Sequence, residues 1–282
     1  MYIEDFLNFQ RNVRNLSKGT IKTYSDTMRL FKEFMLFRGV KNIEDIKKQD
    51  VYDYIFFDKE RGCAPSTCNC RLFTLRTYFD YLVRFHELKY NYALEIKPMK
   101  QSKVLPTYIK EEQIIKCLNS CNTETLKGAR AHAILITLFH CGLRLNELKS
   151  LTTKDVDYQK MTLRVNGKGR KQRMVPMSYA VANSLQNWFN FRVANSSEIF
   201  TSNKGEVLTD AQIYYIVKKY LKPFVEKKLA HPHALRHSFA TILLNKGVPL
   251  ASISNMMGHS SLSTTLIYIG VAQQMENPFN TL

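Results

Sequence analysis

Residues 142–148 read GLRLNEL and combine a turn, an arginine and an acidic side chain within seven positions. Gly142 ends the apolar pattern of a preceding helix, and a further short helix is predicted over 146–151. Arg144 and Glu147 stand three residues apart near the start of that helix. The carboxylate can therefore hold the guanidinium while the free edge of the arginine faces a ligand. This stretch predicts a helical domain that presents a fixed positive charge.

A basic turn follows, with Lys168 placed 24 residues beyond Arg144. Alternating apolar stretches at 161–165 and 172–176 flank the sequence NGKGRKQR, a pattern typical of a β-hairpin. A lysine at the tip of a hairpin carries its ammonium group on a long, rotatable stem. The pattern predicts a small sheet with a mobile cation at its end.

Two further motifs supply histidines, an arginine and a tyrosine. HPHALRH (231–237) brings His233 and Arg236 to one helix face by a three-residue step, and His259 in MMGHSS precedes Tyr268 in TLIYIG by nine residues. Together with Arg144 and Lys168, these side chains form a set that can grip and cleave a phosphodiester. The set contains no cage of carboxylates for a metal ion.

The charge of the chain favours a polyanionic partner. The 282 residues carry 41 Lys and Arg against 24 Asp and Glu, a formal net charge of +17. Residues 1–100 contribute 18 basic against 13 acidic residues and the remainder 23 against 11, so both halves are basic. A strong positive charge is typical of nucleic-acid-binding proteins. At 45% hydrophobic residues the chain can also bury a core, in one large domain or two smaller ones.

Cysteine usage and hydropathy bear on the compartment. The six cysteines have neither zinc-site spacing nor the density of a secreted scaffold, so we expect reduced thiols. The acidic start MYIEDFLNFQ does not resemble a signal peptide, and no run of apolar residues is long enough to cross a membrane. We therefore expect a cytoplasmic protein with no membrane partner.

The first hundred residues show helical periodicity throughout. Four short helices are predicted: one from Ile3 to Val13, one from Ser17 to about Gly39, one over 47–58 and one from Ser66 to about Phe85. They form a small bundle whose polar faces carry the candidate DNA-binding residues Lys18, Lys22, Arg71 and Arg76. A second candidate set surrounds the hairpin and comprises Arg170, Lys171 and Arg173.

A proline-containing basic segment, KPMKQSKVLP, separates the bundle from the second half. We expect domain 1–97, a linker at 98–106 and domain 107–282. Besides the hairpin, the second domain has predicted helices at 111–119, 126–139, 146–151, 180–191, 210–218, 234–246, 250–257 and 262–269. The expected fold class is mainly α (α+β).

The four motifs GLRLNEL, the GKG hairpin, HPHALRHSFAT and GHSSLSTTLIY, in this order, resemble the catalytic motifs of the tyrosine recombinases, or phage integrase family, and most closely its compact Xer-type members. The resemblance covers residues 107–270. Residues 17–34 and 65–82 are similar, less specifically, to the N-terminal core-binding domain of that family. The resemblance implies a four-helix core-binding domain and a catalytic domain that together form a C-shaped clamp on double-stranded DNA.

Carried over to this chain, the resemblance implies a site-specific recombinase that cleaves and rejoins DNA. Tyr268 is the implied nucleophile, which forms a 3′-phosphotyrosyl bond. Arg144 and Arg236 are implied to bind the non-bridging phosphate oxygens, and Lys168 to protonate the departing 5′ oxygen. His233 and His259 complete the implied catalytic set, while Glu147 and His237 are implied to support these residues without contacting the reacting phosphate.

The resemblance also bears on cofactors and assembly. It implies no cofactor, because the phosphotyrosine conserves the energy of the broken bond. It implies a homo-tetramer in the synaptic complex and a monomer or weak dimer when free. The tail after Gly270 is short, and we expect Phe279 and Leu282 to anchor it on a neighbouring protomer. Because a helix is predicted almost from Met1, we expect no additional N-terminal arm-binding module.

A metal site is not expected. His233 and His237 have the four-residue spacing of a zinc-binding helix, but no acidic residue lies between them. Two alternatives to a recombinase stay open at this point: a type IB topoisomerase-like enzyme with the same nucleophile, and a non-enzymatic DNA-binding regulator that shares the fold.

Overall fold

A computed structural model describes residues 1–101, 107–167, 172–193 and 196–258. The chain divides into two compact units, Met1–Lys103 and Val104–Leu282. Among the described residues, no helix has both the length and the apolar character needed to cross a membrane. Within the same ranges, no three His, Cys, Asp or Glu side chains gather in a way that would hold a metal ion.

The first unit is a bundle of four helices. Ser17 accepts a hydrogen bond from the backbone N–H of Thr20 at 3.2 Å and thereby caps the second helix, and Pro65 begins the fourth. A buried aromatic cluster, in which Phe31 packs edge-on against both Tyr54 and Phe79, forms the centre of the bundle. The helices are α1 (Ile3–Asn12), α2 (Lys18–Phe37), α3 (Lys48–Glu60) and α4 (Pro65–Phe85), followed by a 3-10 turn at Tyr92–Glu95.

The second unit is built around a helix that is buried along most of its length. Its described helices and strands are α5 (Glu111–Asn119), α6 (Leu126–Cys141), α7 (Leu145–Lys149), β1 (Val156–Asp157), β2 (Thr162–Asn166), β3 (Gln172–Pro176), α8 (Tyr179–Phe191), α9 (Asp210–Leu221), α10 (Pro232–Asn245) and α11 (Leu250–Met257). Eleven of the sixteen residues of α6 are buried, and α8 and α10 pack against it. Trp188 of α8 is fully buried and donates its indole N–H to the carbonyl of Ile199 at 2.8 Å.

The three strands form one antiparallel sheet in the order β1-β2-β3. Leu163 faces Val156 on one side and Val175 on the other, and Asn166 faces Gln172 at the end of the β2–β3 pairing. The prediction of a mainly α chain with a small antiparallel sheet is confirmed. The two-residue strand β1 was not predicted, because it is too short to show an alternating pattern.

The long helices agree within a few residues at their ends, where α6 and α9 extend beyond the predicted bounds. The predicted helix 262–269 lies outside the described residues. Asn69 donates to the carbonyl of Met99 and accepts from its N–H, at 2.9 and 2.8 Å, so the first residues of the predicted linker are held against the first unit.

Candidate active site

Glu147 lies at the centre of a cluster of arginines in the second unit. Its carboxylate is 4% exposed and binds two guanidinium groups directly. Arg144 donates from Nη1 to Oε1 at 2.8 Å, and Arg173 donates from Nη1 and Nη2 to both oxygens at 2.9 Å. Arg236 places Nη1 3.6 Å from Oε2. One carboxylate therefore balances one of three positive charges, and the cluster keeps a net charge of two.

The ionisation of Glu147 is maintained by these partners. Burial alone raises the pKa of a carboxyl group, and it is the largest single influence here. Hydrogen bonds and charge from Arg173, together with the backbone N–H and side chain of Arg144, outweigh burial and lower the pKa below its ordinary value. Glu147 is therefore an anion at neutral pH and cannot serve as a proton donor there.

Arg144 lies at the N-cap of α7, directly after the turn that ends α6. Besides Glu147, its guanidinium donates to the carbonyls of Met257 and Gly258, both at 3.3 Å. The side chain remains 36% exposed. The carboxylate and carbonyls thus fix the guanidinium, while part of the side chain remains exposed. That this exposed part faces a ligand stays a prediction.

Arg236 reaches the same point from α10 and is only 5% exposed. It donates to the carbonyl of Gly142 at 2.5 Å and to that of Met257 at 2.7 Å. A buried guanidinium is tolerated only when its charge is compensated, and Glu147 provides the compensation. Arg236 and Arg144 therefore share one carboxylate and one carbonyl.

The turn at Gly142 makes this convergence sterically feasible. Gly142 has φ +58°, in the left-handed region that a glycine adopts without strain. A Cβ atom at this position would lie 2.5 Å from Cδ1 of Phe239. Since Phe239 lies in the middle of α10, the absence of a side chain at Gly142 lets the end of α6 approach that part of α10.

Histidines occupy the start of α10. His231 is the N-cap residue and accepts from the N–H of Ala234 at 3.1 Å through Nδ1, and Pro232 takes the first helical position. His233 is solvent-exposed, yet partial desolvation lowers its pKa, and the charges of Arg236 and Arg144 lower it further. The pKa of His237 is also lowered, first by burial and then by neighbouring positive groups. A neutral His233 can accept a proton at pH 7.

Five of the predicted site residues lie outside the described residues. They are Lys168, Arg170, Lys171, His259 and Tyr268. In the sequence, the first three belong to the connection between β2 and β3, and His259 directly follows Gly258. Their roles stay predictions.

The predicted DNA-binding residues of the first unit differ in their surroundings. Lys18 and Lys22 are exposed on α2. Arg71 instead binds the fully buried carboxylate of Asp58, and its side chain is 16% exposed. Arg76 donates to the carbonyl of Ala93 at 3.1 Å and to that of Ile96 at 2.7 Å. The two lysines are therefore more accessible to a phosphate than the two arginines.

The sequence places Arg173 among the DNA-binding residues of the hairpin, whereas in the structure its guanidinium binds Glu147. The sequence did contain a signal for it. Residues of a strand alternate between faces, so Arg173 lies on the same face as the buried Val175, and it pairs across the sheet with the buried Val165. An arginine on an inward face needs a buried acceptor.

Comparisons with known proteins agree with this architecture. The model of the phage integrase family matches residues 107–275, and that of the phage integrase N-terminal SAM-like domain matches residues 3–86. The tyrosine recombinase XerC of Bacillus licheniformis is 32% identical over 278 residues, which cover 96% of this chain and 91% of the relative. The XerC protein of Staphylococcus aureus (strain MSSA476) is 29% identical, covering 96% and 92%.

Solved structures show the same fold. A XerH site-specific recombinase bound to palindromic difH substrate has a TM-score of 0.77 and 25% identity, covering 96% of this chain and 82% of that one. A lambda integrase dimer bound to a core site has a TM-score of 0.73 at 15% identity, covering 98% and 77%, and it supports the fold alone. Given the family match over most of its length and the XerC relatives, the chain belongs to the phage integrase family and is a tyrosine-type site-specific DNA recombinase.

Proposed function

We propose that this recombinase cuts and reseals DNA through a covalent bond between Tyr268 and the 3′ phosphate of the cleaved strand. The observation that carries the proposal is the pair of guanidinium groups held by Glu147, with Arg144 still partly exposed. A net positive cluster with rigid donors suits a phosphate whose negative charge grows in the transition state.

In the proposed cleavage step, the phenol oxygen of Tyr268 attacks the scissile phosphorus. A new O–P bond forms as the bond from phosphorus to the 5′ oxygen breaks. Arg144 and Arg236 bind the non-bridging oxygens, and His259 adds a further donor. Rejoining is the reverse reaction, with the 5′ hydroxyl of a strand as nucleophile, so no energy-rich cofactor is consumed.

Two protons move in this step. His233, whose lowered pKa keeps it neutral at pH 7, accepts the proton of the tyrosine hydroxyl. Lys168 donates a proton to the departing 5′ oxygen, a role open to an amine near several cations. His237 lies one turn further along α10 and is proposed to help orient His233.

Double-stranded DNA is the proposed partner, with four copies of the chain acting in the synaptic complex and a monomer or weak dimer when free. The formal charge of +17 supports a duplex as ligand. The XerH and lambda integrase structures hold their DNA sites in a related fold. Integration, excision, inversion and dimer resolution use this same chemistry, and we propose that the protein acts in the cytoplasm.

A nicked suicide substrate tests the proposal. Wild-type protein should form a covalent protein–DNA complex that survives denaturation, because the released fragment cannot be rejoined. Tyr268→Phe should abolish the complex and retain DNA binding. Tyr179→Phe is the matched control, since Tyr179 is 78% exposed at the start of α8 and should leave the complex unchanged. An adduct that persists in Tyr268→Phe would refute the nucleophile.

A second assay separates recombination from topoisomerase-like action. A plasmid with two marked sites should yield exchanged products, whereas a type IB topoisomerase-like enzyme would relax supercoils without exchange. A DNA-binding regulator would form no covalent adduct on the nicked substrate, and it would neither exchange the plasmid sites nor relax supercoils.

A further inference from the structure

We propose that Arg173 is a positioning residue for the proposed phosphate clamp: it sets Glu147, and through Glu147 it sets Arg144 and Arg236. The inference rests on the proposed function of those two arginines. It assigns to Arg173 a role other than the DNA contact expected from the sequence.

The contacts of Arg173 are directed into the protein. Nη1 and Nη2 donate to the two oxygens of Glu147 at 2.9 Å, and Nε donates to the carbonyl of Met256 at 2.8 Å. The side chain is 14% exposed, between the 7% of Arg236 and the 36% of Arg144. Three of the five N–H donors of this guanidinium are thus engaged inside the protein. The bidentate pair fixes the plane of the carboxylate.

This orientation matters because Arg144 and Arg236 approach the same carboxylate. Nη1 of Arg144 lies 2.8 Å from Oε1 of Glu147, and Nη1 of Arg236 lies 3.6 Å from Oε2. A rotation of the Glu147 carboxylate would alter the two distances in different ways. The backbone N–H of Arg144 also donates to Oε2, at 2.8 Å, but the side chain of Arg144 holds only Oε1. Arg173 holds both oxygens with one planar guanidinium and therefore resists this rotation.

Arg173 also joins three elements that lie close in the sequence to predicted catalytic residues. It lies on β3, five residues after Lys168; Glu147 lies on α7 beside Arg144; and Met256 lies near the end of α11, three residues before His259. A Cβ atom on Gly258 would lie 2.8 Å from Nη1 of Arg173, so the guanidinium occupies the space that a side chain there would need. Gly258 has φ +62°, which suits a glycine at this close approach.

Arg164 offers a matched control on the neighbouring strand. Its Nε donates to the buried carboxylate of Asp155 at 2.9 Å, so Arg164→Ala also removes an ion pair with a buried acid. Within the part of the chain that the structure describes, the side chain of Arg164 forms no hydrogen bond or ion pair with Glu147, Arg144 or Arg236. A loss of stability that comes merely from removing a paired arginine from the sheet should therefore affect the Arg164 and Arg173 variants alike.

The test measures single-turnover cleavage at saturating protein, for Arg173→Ala, Arg173→Lys and Arg164→Ala. Both Arg173 variants should cleave about 10–100-fold more slowly than wild type, the scale expected for a misplaced catalytic group, with DNA affinity unchanged. Lysine should not restore the rate, because it keeps the charge but cannot hold both oxygens. Arg164→Ala should cleave like wild type.

A second substrate separates positioning from loss of folded protein. A methylphosphonate at the scissile position replaces one non-bridging oxygen by a methyl group and removes the charge that the clamp offsets. The defect of the Arg173 variants should shrink on this substrate, whereas partial unfolding would slow both substrates by the same factor. The inference would be overturned if the Arg173 variants slowed cleavage of both substrates by the same factor, or if Arg173→Lys cleaved at the wild-type rate. If Arg173→Ala does not fold, the rate of Arg173→Lys decides alone.

Arg144→Ala distinguishes a failure of the proposed clamp from a failure of the positioning role of Arg173. If Arg144→Ala cleaves normally, the proposed clamp is wrong. If Arg144→Ala is impaired while the Arg173 variants are not, only the positioning role is wrong.

Discussion

Arg144 and Arg236 donate to the same carbonyl oxygen, that of Met257, over 3.3 and 2.7 Å. One arginine comes from the turn after α6 and the other from α10, so the end of α11 determines how far apart the two guanidinium groups lie. Because carbonyls and a buried carboxylate hold both groups before DNA binds, little reorganisation is required during the reaction. This preorganisation underlies the first prediction.

Removal of either arginine should slow cleavage much more than it weakens binding. Arg144→Ala and Arg236→Ala should each lower the rate of covalent-complex formation by roughly 10²–10³, the cost of one donor to a developing negative charge. Arg29→Ala is the control, because Arg29 forms an exposed pair with Glu33. Quantitative trapping on the nicked substrate measures the rates, and wild-type cleavage in either variant would contradict the clamp.

Glu147→Gln should destabilise the second unit strongly. The neutral amide would leave the buried guanidinium groups without their counter-charge, at a cost of about 3–5 kcal/mol. Trp188 is the only tryptophan of the chain and is fully buried in this unit, so its fluorescence reports urea unfolding there. In the control Glu226→Gln, an exposed pair with Lys228 is lost, and the midpoint should hardly move. Similar midpoints in the two variants would show that Glu147 does not compensate the cluster.

The pairing of Arg144 with Glu147 was predictable because both lie within one turn of chain, where spacing alone determines proximity. The convergence of Arg236 on the same carboxylate was not, since it depends on how α10 packs against α6. Arg173 is an intermediate case. Strand alternation indicated its inward face, but no local rule names Glu147 as the acceptor, 26 residues earlier.

The same distinction applies to the fold. Long helices such as α2 and α4 show their apolar period over several turns, so the sequence predicted them well. The strand β1 has two residues and exists only because β2 lies beside it. The basic faces of the bundle were predicted as one group, yet tertiary contacts engage Arg71 and Arg76 within the first unit.

The pH dependence of cleavage should reflect a neutral His233. Its pKa is lowered from the ordinary 6.5 by desolvation and by two arginines, so the ring loses its proton at a lower pH than a free histidine does. If the neutral ring accepts the tyrosine proton, the rate should hold as pH falls to 6.5 and decline only below it. Single-turnover cleavage rates measured above and below pH 6.5 test whether the decline begins only below that value. A decline centred above pH 6.5, or one that is unchanged in His233→Gln, would argue against His233 as the base.

Gly142→Ala should destabilise the protein through both backbone strain and a steric clash. The left-handed backbone costs about 1–2 kcal/mol for a residue with a Cβ, and the overlap with Phe239 adds roughly 1–3 kcal/mol. Gly39→Ala separates the two effects, because Gly39 has φ +78° and no atom within 4 Å of a built Cβ. Urea unfolding of both variants measures the difference. Equal losses would mean that the approach of α10 to this turn is not tight.

DNA binding by the first unit should depend on its exposed lysines. Lys18→Ala and Lys22→Ala should each reduce the slope of log affinity against log salt concentration by about 0.9, the value for one phosphate contact on a duplex. Arg71→Ala provides the contrast: since Arg71 binds the buried Asp58, its loss should lower stability and leave the slope unchanged. Binding titrations over a range of salt concentrations measure the slopes. If Arg71→Ala changes the slope and both lysine variants do not, the phosphate contacts of this bundle involve the paired guanidinium rather than the exposed face of α2.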